Sequence, residues 1–178
     1  RHAISENIVD MVGMTRGHIA DPYIVKKLMR GDEARIRSCV GSTYCSNFRY
    51  CIQNPATARE EHLPHIIEKN LDQTKKVVVI GAGPAGLSAS TTLAKAGHEV
   101  TLFDSANEIG GQFNIAKRIP GKEEFSETLR YFEVRLAELN VEVKLNTSLT
   151  TQALNQMQVD ELVLATGVSP RQLALPGH

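Results

Sequence analysis

An α/β protein built on a parallel sheet is predicted, and three observations carry that prediction. Val77-Val-Val-Ile80 is a β-branched run, short enough for a buried parallel strand. Glycines at 81, 83 and 86 follow it directly, opening a helical stretch from about Pro84 to Ala96 that stops at Gly97. Glu99-Val-Thr-Leu-Phe103 then restores strand character, so the order is strand, helix, strand.

The same alternation continues downstream. After Asp104 and a Gly110-Gly111 turn, Phe125, Leu129, Phe132, Leu136 and Leu139 recur at steps of four and three. That spacing places all five on one face of an amphipathic helix. Val141, Val143 and Leu145 alternate as a strand, and Leu162-Val163-Leu164 makes another.

Upstream regularity is weaker. Val9–Met14 reads as a short buried strand, and Asp21-Pro22 as an N-cap followed by the first helical residue. The helix Pro22–Arg30 sets Ile24, Val25, Leu28 and Met29 on one face and ends at Gly31. Residues 32–75 hold every cysteine and the steps Asn54-Pro55 and Leu63-Pro64, with little periodicity. They read as an irregular segment wrapped on another element, a stretch whose length calls for a cofactor to organise it. The expected division is therefore 1–31, 32–75 and 76–178. Arg1 at the start, and the loop signal Leu175-Pro176-Gly177-His178 at the end, carry the expectation that the chain is part of something longer.

Composition removes several function classes. Twenty Lys and Arg balance twenty Asp and Glu, so the formal net charge is zero and no nucleic-acid or membrane footprint is expected. Apolar residues make up 42% and charged residues 22%, ordinary for a globular protein. No apolar run approaches the ~18 residues of a membrane span, and no leader pattern opens the chain. Three clustered cysteines are a poor disulfide framework and suit reduced thiols or a metal, which argues for the cytoplasm. The six histidines show no metal-ligand spacing.

The glycine spacing carries the chemistry. Gly81, Gly83 and Gly86 form G-x-G-x-x-G between a strand and a helix. Such a loop needs a tight turn at Gly81, a bare backbone at Gly83 beside a pyrophosphate, and close helix–strand packing at Gly86. The helix start then offers unpaired N–H groups and a positive dipole end to phosphate. Asp104 lies about twenty residues on, at the end of the second strand, where a carboxylate accepts from ribose hydroxyls. The fold expected from this is a Rossmann-type parallel-sheet domain for FAD or NAD(P).

Pro84-Ala85, Glu108-Ile-Gly-Gly-Gln112 and Leu164-Ala165-Thr166-Gly167 sharpen the assignment. As a set they resemble flavoproteins with two dinucleotide-binding domains, whose first glycine loop takes FAD. The resemblance implies that Gly111 and Gln112 line the flavin side. It also implies that Ala165, Thr166 and Gly167 lie against the cofactor near the crossing to a second domain.

Cys39, Cys45 and Cys51 extend the resemblance to the whole chain. With Arg37-Ser-Cys-Val-Gly before them and Cys-Ile-Gln-Asn-Pro-Ala-Thr after, they look like an altered iron–sulfur signature, since thiolates are the ligands such clusters prefer. The chain resembles the 2,4-dienoyl-CoA reductase and trimethylamine dehydrogenase branch of old yellow enzyme-type flavoproteins. That family places an FMN-bearing TIM barrel first, then a cysteine segment, then an FAD- or ADP-binding domain. The stretch Asp104–Phe125 is most like the dienoyl-CoA reductases. Val40–Cys45 and Asn54–Glu60 are more like the amine dehydrogenase and N-demethylase relatives.

The resemblance implies a Rossmann half-domain preceded by the last strand–helix unit of the barrel and an irregular cysteine segment. It also implies that Asp10–Arg16 ends the barrel, with the Arg16 guanidinium on the FMN phosphate, and that Cys39, Cys45 and Cys51 ligate a [4Fe–4S] cluster. Ser42 stands where the family has its second cysteine, and the Cys45–Cys51 interval is shorter than the family's dozen or so residues. Two readings stay open there: a cluster with an altered fourth ligand, or a relict site.

The implied activity passes electrons from NAD(P)H through FAD and an iron–sulfur site to FMN and a small enoyl-type substrate. The barrel's catalytic groups lie outside this chain, so no catalytic residue is assigned and the chain alone is expected not to turn over. An amine dehydrogenase or N-demethylase is the second reading, and a non-catalytic ADP- or FAD-binding module the third. An oligomer is compatible with all three.

Overall fold

The computed structural model describes residues 2–69 and 72–169. In chain order the elements are α1 (His2–Ser5), α2 (Arg16–Ala20), α3 (Ile24–Arg30), α4 (Tyr44–Phe48), β1 (Lys76–Ile80) and α5 (Pro84–Lys95). They continue with β2 (Glu99–Phe103), α6 (Phe113–Ala116), α7 (Ser126–Glu138), β3 (Glu142–Lys144), α8 (Thr151–Gln156) and β4 (Glu161–Leu164). Single 3₁₀ turns lie at Glu33–Arg35 and Glu123–Phe125.

The four strands form one sheet in the order β3-β2-β1-β4, every pair parallel. β1 sits inside it, with Val78 opposite Thr101 on one side and Leu162 on the other. Val77, Val78 and Val79 are all almost fully buried, as a strand covered on both faces requires. α5 crosses from β1 to β2 and buries Leu87 completely. Leu129 and Leu136 of α7 join the same core, with Phe132 and Leu139 packed against it. Phe125 lies in the 3₁₀ turn before α7 and stacks on Phe113, ring centroids 5.3 Å apart. The predicted apolar face is therefore present, begun one turn early by a non-α element. At the sheet's edge, β4 leaves Leu162 39% and Leu164 70% exposed.

The amino-terminal expectations need correction. Val9–Met14 is irregular and exposed, not a buried strand; Met11 is 83% exposed. A barrel strand is held by neighbours on both sides, and no described residues pair with this segment. Arg16 accordingly opens a helix instead of ending a strand. α3 begins at Ile24, two residues later than predicted, and Val25 and Met29 face solvent while Ile24 and Leu28 are half-buried. Seven residues make under two turns, so only one edge of the helix docks. Gly31 ends it in the left-handed conformation, φ 75°, as expected.

Asp21 does more than cap. Its buried carboxylate accepts from the Tyr23 N–H at 3.1 Å, the Arg37 N–H at 2.9 Å and the Lys27 ammonium at 2.5 Å. The residue thus ties α3 to the irregular segment.

That segment is wrapped on α7, and polar side chains organise it. Arg130 donates to the Ala34 carbonyl at 2.6 Å and the Ile36 carbonyl at 2.8 Å, while Ser38 donates to Glu127 at 3.0 Å. Gln53 donates to the Thr128 hydroxyl at 2.6 Å in a buried contact. Asn54, 2% exposed, donates to the Ile19 carbonyl at 2.9 Å. The Gln53 and Asn54 bonds satisfy side-chain amides that loop structure would otherwise leave buried and unpaired.

Candidate dinucleotide site

The carboxyl ends of β1, β2 and β4 bring four separate sequence motifs to one end of the sheet. Gly81 follows β1 with φ 107°, and a Cβ there would run into the Ala165 carbonyl after β4. The Ala165 N–H in turn donates to the Ile80 carbonyl at 2.8 Å. Ala165-Thr166 is therefore pressed directly against the start of the glycine loop. Gly86, in the first turn of α5, has its Cα facing the Gly81 carbonyl so closely that no side chain fits. These two glycines are needed by the protein's own packing.

Gly83 differs from both. Its backbone is ordinary and extended, φ −73° and ψ 178°, and a Cβ there would meet nothing within 4 Å. Nothing in the fold demands glycine at 83, so the bareness serves whatever approaches from outside. Gly83 is also the N-cap of α5 and contributes no side-chain cap bond, with Pro84 at the first helical position and no acid in the first turn. The positive helix end and its early N–H groups, including that of Ala85, are thus turned to an open face.

The remaining motifs close around this face. A Cβ on Gly111 would stand 3.1 Å from the Gly83 Cα, and the Gly110 N–H donates to the Ala82 carbonyl at 2.7 Å. Asp104, just past β2, accepts from the Ala82 N–H at 2.5 Å and from the Ala106 N–H at 2.8 Å. A carboxylate offers about four acceptor positions, so these two bonds leave capacity for ribose hydroxyls. Gln112 donates to the Val168 carbonyl at 3.4 Å, linking the two outer loops, and Gly167 is exposed with φ 71°. The arrangement is a crevice outside the carboxyl ends of parallel strands, the place where open α/β sheets bind nucleotides. It suits a dinucleotide by shape and by the sign of its partial charges.

Arg16 and the cysteines lie elsewhere. Arg16 is exposed and lines a hollow of about 500 Å³ shared with Cys39. It forms no ion pair among the described residues. Its guanidinium suits a phosphate, but the described residues form no barrel around it, so an FMN site is not assembled here. Cys39, Cys45 and Cys51 are half-buried free thiols. Among the described residues no three Cys, His, Asp or Glu side chains converge as a metal site. Thr43 and Arg49, at the two ends of α4, both adopt left-handed backbone, φ 56° and 62°. Non-glycine residues rarely do so, and a β-branched one least of all, so the backbone is strained just before Cys45 and again at Arg49 within the Cys45–Cys51 interval. Three thiols, with Ser42 in the fourth place, supply one thiolate fewer than the four a [4Fe–4S] cube prefers.

Sequence reasoning missed the anchoring roles of Gln53, Asn54 and Arg130. The Asn54-Pro55 step was the only signal there, and it reads as a turn without revealing a buried amide. No helix among the described residues is long and apolar enough to cross a membrane.

The comparisons agree with this geometry. The pyridine nucleotide-disulphide oxidoreductase family model matches residues 75–178. The N,N-dimethylglycine/sarcosine dehydrogenase of Chromohalobacter salexigens is 43% identical over 169 residues, covering 91% of this chain and 24% of the relative. The multifunctional alkene reductase/demethylase OYE of Caballeronia cordobensis is 42% identical over 178 residues, covering 99% of this chain and 26% of that protein. The solved 2-naphthoyl-CoA reductase complex superposes with a TM-score of 0.90 at 31% identity, covering 98% of this chain and 27% of the other. The chain spans about a quarter of the length of the curated relatives it matches. It belongs to the pyridine nucleotide-disulphide oxidoreductase family, in the old yellow enzyme-type flavoprotein branch that its motifs resemble.

Proposed function

We propose that the crevice binds FAD and that the full-length protein is an NAD(P)H-dependent flavin oxidoreductase. The observation that carries this reading is the contrast among the three loop glycines. Gly81 and Gly86 are closed off by backbone, while Gly83 alone is bare toward open space at a helix start. Bound there, FAD would supply a two-electron redox centre. The chain's own residues do the holding. The α5 N-terminus and the Gly83 backbone meet the pyrophosphate, and Asp104 accepts from the adenosine ribose. Gly111 and Gln112 border the flavin side, with Ala165, Thr166 and Gly167 on the far wall. Residues 1–31 are read as the end of an FMN barrel. No electron-transfer step is assigned to Cys39, Cys45 and Cys51, which supply three thiolates where a [4Fe–4S] cube prefers four.

Two substrate classes compete. An enoyl-type electron acceptor follows from the Asp104–Phe125 stretch and from the reductase names among the relatives. An N-methylated amine donor is favoured by the two relatives above 40% identity, whose names include a dehydrogenase of N-methylated amino acids and a demethylase. Anaerobic absorbance of the full-length protein separates them. Bleaching of the flavin bands by NADPH supports the reductase, whereas bleaching by an N-methylated amine and not by NADPH replaces it with the second reading. A flavin that neither reagent bleaches leaves a purely structural nucleotide.

Asp104→Ala tests the ribose contact. Its loss should weaken FAD binding by about 1.5–3 kcal/mol, the range for hydrogen bonds to a charged group. Flavin fluorescence titration of the apoprotein measures this, and an unchanged Kd would remove Asp104 from the site.

A further inference from the structure

A second cavity lies at the opposite end of α5 from the glycine loop, about 18 Å away along a helix axis rising 1.5 Å per residue. It encloses about 450 Å³ between α3, the irregular segment, α7 and the last residue of α5. Seven Lys and Arg side chains line it against two carboxylates, Asp21 and Asp32. In a chain of zero net charge this concentration of one sign needs an explanation.

The existing contacts do not neutralise it. Asp21 is already occupied by Lys27 and two backbone N–H groups. Arg35 and Arg135 share the carboxylate of Glu138, and Asp32, 3.8 Å from Arg35, is taken up by the same guanidinium. Arg37 donates to the Ala20 carbonyl at 2.8 Å and lies over the Tyr131 ring, 5.8 Å from its centroid. Lys95 and Arg30 form no ion pair among the described residues. Lys95 is half-buried at the wall of the cavity, where a lone ammonium is costly.

We propose that this cavity is an anion site for a phosphoryl or pyrophosphoryl group, held by the Lys95 ammonium and the Arg30 guanidinium. Ammonium and planar guanidinium together are the donors phosphate recognition uses. Tyr23 and Tyr131 give the cavity aromatic walls, so the group could arrive free or as part of a nucleotide. Occupation would also relieve Lys95. Burial, and then the neighbouring Arg135, Arg37 and Lys27, push its pKa down to about 8, with Asp21 acting the other way. His65, Asp32 and Lys26, whose ammonium lies 5.7 Å from the Tyr23 ring centroid, are the other titratable groups of the lining. An anion against Lys95 favours the charged form, so binding above pH 8 must draw in a proton.

The test is calorimetric titration of the flavin-loaded, full-length protein at pH 7.0 and 8.5 with phosphate, pyrophosphate and ADP. One saturable site for at least one of them is expected, weakened at least tenfold in Lys95→Met and in Arg30→Ala with flavin content unchanged. At pH 8.5 the heat should vary with the buffer's ionisation enthalpy in the wild type and not in Lys95→Met. Tighter binding of the inorganic ions identifies a free phosphate as the ligand, and tighter binding of ADP identifies a nucleotide. Arg30 is exposed, so its replacement reports on binding even if the Lys95 variant folds poorly. No saturation with any of the three, or binding indifferent to both substitutions, overturns the proposal.

Discussion

A Gly83→Val protein is expected to fold normally and to purify without dinucleotide. The backbone at 83 is in an extended conformation open to any residue, and a Cβ there meets no protein atom within 4 Å. The cost to the fold is that of a poor helix cap, about 1 kcal/mol. The cost to binding is far larger, because the isopropyl group stands where the pyrophosphate must touch bare backbone. A loss of more than about a hundredfold in FAD affinity is expected, roughly 3 kcal/mol. The flavin absorbance of the purified protein reads the binding. Thermal unfolding compared with wild-type apoprotein reads the fold. Unchanged flavin content would refute the site.

Gly86→Ala should do the reverse, and with the opposite sign from helix propensity. Alanine in a helix is ordinarily favoured over glycine by about 1 kcal/mol. At 86 the added methyl collides with the Gly81 carbonyl, a backbone atom and not the end of a flexible side chain. That carbonyl cannot retreat easily. Gly81 is itself held at φ 107° with the Ala165 carbonyl behind it, and its N–H donates to the Phe103 carbonyl at 2.7 Å. A net destabilisation of about 3 kcal/mol is expected, at the upper end for overpacking. Denaturant midpoints measure it; a more stable variant would mean that the loop and helix are farther apart than described.

These two glycines show what could be read from residue order. Strand periodicity and the run Val77–Ile80 specify a buried central strand because few other structures tolerate four β-branched residues in succession. The 81–86 loop is legible because its spacing answers to steric demands of backbone on backbone. Leu129 and Leu136 are legible because helix geometry repeats. Val9–Met14 misleads for a physical reason: local apolar pattern states that a segment prefers a sheet, but a sheet requires neighbours. The irregular segment was opaque because its order comes from single, non-repeating hydrogen bonds such as Gln53 to Thr128 and Asn54 to Ile19. Nothing periodic announces them. The strained turns at Thr43 and Arg49 were equally silent, since neither residue type signals a left-handed backbone.

The bond from the Ala82 N–H to Asp104 has a consequence for timing. The same carboxylate assigned to the ribose also closes the glycine turn, through a bond made wholly within the chain. The conformational entropy of ordering that turn is therefore lost when the chain folds, not when the nucleotide arrives. The ligand meets a rigid receptor and keeps more of its contact energy as affinity. An amide so enclosed should also exchange its hydrogen slowly in empty and filled protein alike, so that hydrogen exchange at Ala82 reports on folding and stays blind to binding.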